Sequence, residues 1–249
     1  MPDSLNNPQN RRETDDGIVY FERAHLIHND TTYRRLAIHT HFIEIGECYL
    51  ELAKKYVAPV ARPGDILSIS EKIIAMCQQQ VVHRKDIKVG FWAKLLSKFA
   101  RGNIHGPGVS EAPKMQLAIN LAGLPRILFA SFMGALGKFI GKRGLFYKIA
   151  GHGIAGIDGL YPDSDFEIYK NMALLNPANP EKVCQELEDL LNIGVMLVDA
   201  NDLNVEIFGK SSLLKNLSDE DLCGTIMDNP AGQNAELTPF ILIRNTTYQ

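Results

Sequence analysis

Carboxylates able to bind a hard cation recur in the C-terminal part of this chain. Asp158, Asp163, Asp199, Asp202, Asp228 and Glu236 each fall in or beside a turn or strand end. Mg²⁺ and Mn²⁺ take oxygen ligands from separate chain segments, commonly completed by phosphate and water, so acids at strand ends suit such an ion. Asp and Asn also populate turns through their own backbone hydrogen bonds, and each of these acids carries that second reading. Cations suited to phosphate oxygens are Lys72 and, beside glycines within residues 134–144, Lys138, Lys142 and Arg143. That stretch lacks the spacing of a Walker A loop. The acidic and basic sets meet at residues 149–163, IAGHGIAGIDGLYPD, whose four glycines let the backbone approach a ligand closely. His152 sits among them, placed to touch a phosphate or orient a carboxylate, or to serve the structure alone. Charge reverses at the same point. Residues 1–157 hold 21 Lys+Arg against 13 Asp+Glu, and residues 158–249 hold 5 against 16.

The elements that must position these groups alternate irregularly. Residues 18–26 and 33–45 read as strands about the turn at Asn29 and Asp30. Residues 47–57 have apolar residues at helical spacing. After the turn at 61–65 comes a short strand, 66–69; Ser70, Glu71 and Lys72 lead into 73–76, and 79–83 returns to strand character. Residues 84–101 carry six Lys+Arg and one acid among Phe91, Trp92 and Phe99. An amphipathic helix with Trp92, Leu95, Leu96 and Phe99 inward and solvated lysines outward is favoured there over a nucleic-acid patch. A helix is expected at 114–121 and a buried strand at 126–131, followed by a glycine-rich stretch at 134–144. Residues 180–191 read as a helix with proline in its first turn. Strands at 194–198 and 205–208 flank the connection at 199–202, a capped helix starts near Ser218, and 239–244 is a last strand. This pattern predicts an α+β fold with mixed or antiparallel sheets and flanking helices, arranged as two intimately packed lobes.

Composition bounds the class. A chain of 249 residues with 45% hydrophobic and 22% charged residues can bury a sizeable core. Cys48, Cys77, Cys184 and Cys223 have neither zinc-site nor disulfide-framework spacing, which fits reduced thiols in a cytoplasmic protein. Residues 1–16 are polar, expected to be disordered, and contain no signal-peptide core. The most apolar region, 117–140, has a longest clean run at 127–136, about half of the ~20 residues that span a bilayer. No membrane partner is expected.

Several segments, taken in order, resemble the coenzyme F(420)-0:L-glutamate ligase (gamma-glutamyl ligase) family. GDILSISEKII at 64–74 followed by Val81 and Val82, AGID at 155–158, LLNP at 174–177, GVMLVD at 194–199 and the stretch 228–237 are similar to that family's motifs, and together cover most of the chain. The resemblance implies a gamma-glutamyl-ligase-like homodimer, formed by a single domain over 17–249 with an insertion at 84–148. It implies coenzyme biosynthesis with GTP (or ATP) and Mg²⁺ or Mn²⁺, joining L-glutamate to a phosphorylated acid substrate through an acyl phosphate. Carried over by position, Asp158 and Asp199 become metal ligands, with Glu236 or Gln233 as a third. Lys72, Ser70, Gly156, Asp228 and Asn229 become nucleotide or substrate contacts, beside His152, Lys138, Lys142 and Arg143. No catalytic residue is assigned. After Asp199 the family's D-T-x-G-R reads DANDL, and after Lys72 its S-K-x-E-G reads AMCQQ. Those losses support two alternatives, a non-catalytic nucleotide- and metal-binding protein or a ligase for a different acid.

Overall fold

The computed structural model describes residues 6–100, 108–142, 144–160, 167–200, 205–232 and 236–246. The chain forms two units, one from residues 1–79 and 177–249, the other from residues 80–176. Both are α+β.

The first unit is built on an eight-stranded sheet. Its strands are β1 (Arg11–Glu13), β2 (Val19–Glu22), β3 (Leu26–His28), β4 (Thr31–Ile38), β5 (Ile66–Ser70), β9 (Gly194–Ala200), β10 (Val205–Lys210) and β11 (Phe240–Asn245). The order is β1-β2-β4-β11-β5-β9-β10, with β3 also on β4. Every pairing is antiparallel except β5 with β9, which run parallel. Central strands are buried on both faces, which is why GVML and FILI read as continuous apolar runs without alternation. One face holds Leu36, Ile38, Leu67, Ile69, Val195, Leu197, Phe240 and Leu242. Over it pack helix α9 (Pro180–Leu191), through Val183, Cys184 and Leu187, and the turns of 49–57. The other face holds Ala37, Met196, Val198, Ile241 and Ile243, under Leu214, Leu222 and Ile226. The N-terminal segment, expected to be disordered, contributes β1, which pairs with β2 over Arg11 to Glu13. The strand expected over 33–45 ends at Ile38.

The second unit pairs β6 (Val81–His83), β8 (Met172–Leu174) and β7 (Asp158–Gly159) in an antiparallel sheet. Helices α3 (Phe91–Phe99), α4 (Ala112–Ala122), α5 (Leu124–Phe139), α6 (Leu145–Ala150), α7 (His152–Ala155) and α8 (Glu167–Asn171) complete it. Its core includes Ala93, Met115, Leu117, Ala118, Ile127, Ala130, Ile154 and Leu160.

Two local expectations are corrected here. Residues 126–131 are helical, inside α5, because Pro125 falls in the first turn, where its missing N–H costs nothing. In the glycine-rich stretch 134–144, Gly134 and Gly137 lie within α5 and let α6 approach, while Gly141 and Gly144 follow the helix with positive φ. A Cβ on Gly137 would sit 2.6 Å from Leu145 Cδ1 and 2.8 Å from the Lys142 carbonyl. Helix α3 buries Ala93 and Ser97, packs Leu96 against the core and exposes Lys94 and Lys98 as expected, but Trp92 and Phe99, expected inward, are exposed.

Candidate functional site

Sheet register gathers several candidate residues at one edge of the first unit. Ser70 ends β5 and pairs with Val198 on the parallel β9, so Ser70, Glu71 and Lys72 follow one strand as Asp199 and Ala200 end its neighbour. Beside them β11 begins, with Phe240 paired to both Ile69 and Ile38. The backbone joins there too: Ser70 N–H donates to the Pro239 carbonyl at 3.2 Å and Thr40 N–H to the Leu237 carbonyl at 2.9 Å. Ligand sites in open α/β sheets favour the carboxyl ends of parallel strands, where loops diverge and leave room.

Asp199 has a direct partner on the ladder. It stands opposite Glu206 of β10. Directly opposed residues of an antiparallel pair hold their Cβ atoms roughly 4.5–5.5 Å apart on one face, and like charges there repel. Such a pair suits a divalent cation. Mg²⁺ is commonly held by one or two carboxylates, with waters and substrate phosphates completing its octahedron, so this donor set fits. Lys72 supplies a compact positive charge, and Ser70 a hydroxyl. Asp158 belongs to the other unit, where its side chain accepts from the Gly159 N–H at 2.8 Å. Within the first unit the carboxylate set beside Asp199 is therefore Glu206, which motif spacing does not mark. Among the described residues no three His, Cys, Asp or Glu side chains form a metal-binding group.

The remaining carried-over positions separate. Asp228 is ion-paired to Arg35, whose side chain is 1% exposed and also donates to the Ala24 carbonyl at 2.6 Å. Asn229 donates to the Gly232 carbonyl at 3.2 Å. Glu236 lies against Gly232, where a Cβ would meet its carboxylate at 1.4 Å, and its backbone carbonyl accepts from Asn6. Arg23 donates to the Pro230 carbonyl at 2.7 Å; burial pushes its guanidinium down, Glu236 pulls it back up, Arg35 pushes it down and Asp228 raises it. These contacts tie the 228–236 turn to the sheet. Asp228, Asn229 and Glu236 thus take part in contacts that hold that turn, and Asp228 reaches the buried Arg35 of β4.

Gly156 and Gly159 of the second unit allow close packing: their Cβ atoms would sit 1.8 Å from Asn176 Oδ1 and 2.2 Å from the Met172 carbonyl. His152 begins α7. Lys138 is in the last turn of α5, and Lys142 is exposed just beyond it. Asp163, Asp202, Arg143 and Gln233 lie outside the described residues. A cluster missed by spacing surrounds His41, whose Nδ1 is 2.6 Å from the Tyr56 hydroxyl and whose Nε2 is 3.0 Å from both Glu47 carboxylate oxygens. It braces the loop after β4, since Glu47 also accepts from the Glu44 N–H. A shallow pocket lined by Arg62, Pro63, Leu190 and Asn192 opens at the other end of β5 and β9.

Compared with known proteins, the chain matches no family model, and none of the curated proteins aligns significantly with it.

Proposed function

We propose that the chain is a nucleotide- and divalent-metal-dependent amide ligase with a gamma-glutamyl-ligase-like fold, joining an amino acid such as L-glutamate to a phosphorylated acid. One observation supports the reading: the segments at 64–74 and 194–199, which resemble that family in order, end side by side on the parallel strands β5 and β9, where β11 begins after the third resembling stretch, 228–237. In this reading Asp199 and Glu206 hold Mg²⁺ or Mn²⁺, which offsets charge on the transferred phosphoryl group. Lys72 holds a phosphate oxygen and Ser70 orients it. Phosphorylation of the acid's carboxylate gives an acyl phosphate, and attack by the amine expels phosphate to leave the amide.

Thermal shift with Mn²⁺ and GTP or ATP tests the site. Ligand at about 100 times its Kd adds about 2.7 kcal/mol, a readable rise in Tm. Asp199→Asn is expected to abolish the metal-dependent rise and leave the apo Tm nearly unchanged. A metal-dependent rise preserved in both Asp199→Asn and Glu206→Gln would remove the reading. The second reading, a non-catalytic nucleotide-binding protein, is favoured by the loss of the family's arginine after Asp199. Normal nucleotide binding without nucleoside diphosphate release, across a panel of acids with glutamate, selects it.

A further inference from the structure

Helix α5 is apolar on two opposite faces. Ile127, Ala130 and Gly137 point into the second unit. Phe129 at 57% exposure, Phe132 at 66%, Leu136 at 44% and Ile140 at 61% follow at spacings of three and four residues on the opposite side. They form one outward stripe along the helix. A stripe of four large apolar side chains is costly to leave in water, and it invites an occupant.

Charge identifies that occupant. Residues 80–176 carry 13 Lys+Arg against 6 Asp+Glu, a balance of +7, while the rest of the chain carries 13 against 23. Residues 112–157 contain no acidic side chain at all. The two charges within α5 are Arg126 and Lys138, near its ends, and exposed Lys142 follows. A second copy of this unit would set +7 against +7. A nucleic acid would engage the cations and stack on aromatic rings, but it has no use for Leu136 and Ile140. Apolar residues on one line with basic residues at the flanks match a bilayer interface carrying anionic headgroups. Helix α3 of the same unit also exposes Phe91, Trp92 and Phe99 with Lys94 and Lys98, and tryptophan is a residue enriched at membrane–water interfaces.

Length decides between lying on a membrane and crossing it. The 16 residues of α5 extend about 24 Å at 1.5 Å per residue, short of the ~30 Å hydrocarbon core. Helices α4 and α5 are together apolar enough for a span, but they bend by 119° between them. We propose that the second unit docks peripherally on anionic phospholipid bilayers through the outward face of α5.

Co-sedimentation of the full chain with vesicles tests this directly. Binding is expected with vesicles containing about one-third phosphatidylglycerol, falling about tenfold or more with phosphatidylcholine alone and on raising salt to about 0.5 M. Phe129→Ser with Phe132→Ser should weaken binding about tenfold or more, and both positions are exposed, so folding is untouched. Trp92 is the sole tryptophan, so Trp92→Phe with Phe132→Trp places the only reporter on α5. Its emission should shift to the blue on anionic vesicles. No binding to anionic vesicles at low salt overturns the proposal, as does binding indifferent to the serine pair. A reporter shift produced by an oligonucleotide, or by raising protein concentration without lipid, while vesicles leave it unmoved, also overturns it.

Discussion

Glu188 shows how one buried carboxylate can fasten two elements. It lies on α9 and accepts hydrogen bonds from the Ser212 hydroxyl, the Leu213 N–H at 2.9 Å and the Gln185 amide at 3.0 Å. Burial alone would raise its pKa, but hydrogen bonds from Ser211, Ser212, Leu213 and Gln185 outweigh that and hold it at about 2. A folded value below the unfolded 4.5 means stability that is present above pH 4.5 and lost as pH falls towards 2. Glu188→Gln is expected to cost about 1–3 kcal/mol at pH 7 and to flatten the loss of stability between pH 4.5 and 2. Urea melts across that range check both. An unchanged acid limb in the variant would show that other carboxylates govern acid unfolding. Asp199 stands opposite another carboxylate, Glu206, across the ladder.

Strands and helices here are joined by a few buried polar contacts. The bidentate pair of Arg244 on β11 with Asp65, at 2.8 and 2.7 Å, anchors the turn before β5, and Arg244 also donates to the Val60 carbonyl at 3.1 Å. Asp65 is 2% exposed and Arg244 6%, so neither charge has water to fall back on. Removing one partner of such a pair costs about 3–5 kcal/mol, because the other is stranded. Asp65→Asn should therefore lower Tm by on the order of 10 °C. Asp65→Asn with Arg244→Met should recover part of that loss, and a double variant as unstable as the single would argue that the pair is not what matters. Cysteines follow burial in the same way: burial pushes the Cys184 and Cys77 thiols up to about 12, whereas Cys48 is exposed.

Across the whole molecule, the first unit is interrupted in sequence by the second, yet its own ends meet. Gln78 donates to the Ala178 carbonyl at 2.9 Å and accepts from the Ala178 N–H at 2.7 Å, closing the gap where residues 80–176 depart. Replacing residues 80–176 with about four flexible residues is expected to leave a sheet unit that melts cooperatively. Failure of that shortened chain to fold would mean the sheet depends on the second unit. Much of the first unit was legible in sequence. The runs forming β5, β9 and β11 and the helix α9 are bounded by turn residues, and short-range pattern suffices to place them. Helix α5 was not legible, because apolar residues on both of its faces leave no period to read; only its packing on α6 distinguishes the inward side from the outward one. The site followed the same division. Sequence by itself determined that Lys72 and Asp199 follow apolar strands and that charge divides along the chain. Tertiary structure alone decided that β5 and β9 run side by side, that Glu206 faces Asp199, and that Asp228 is claimed by Arg35, 193 residues away. Each of these depends on register or long-range pairing, which local propensity cannot encode.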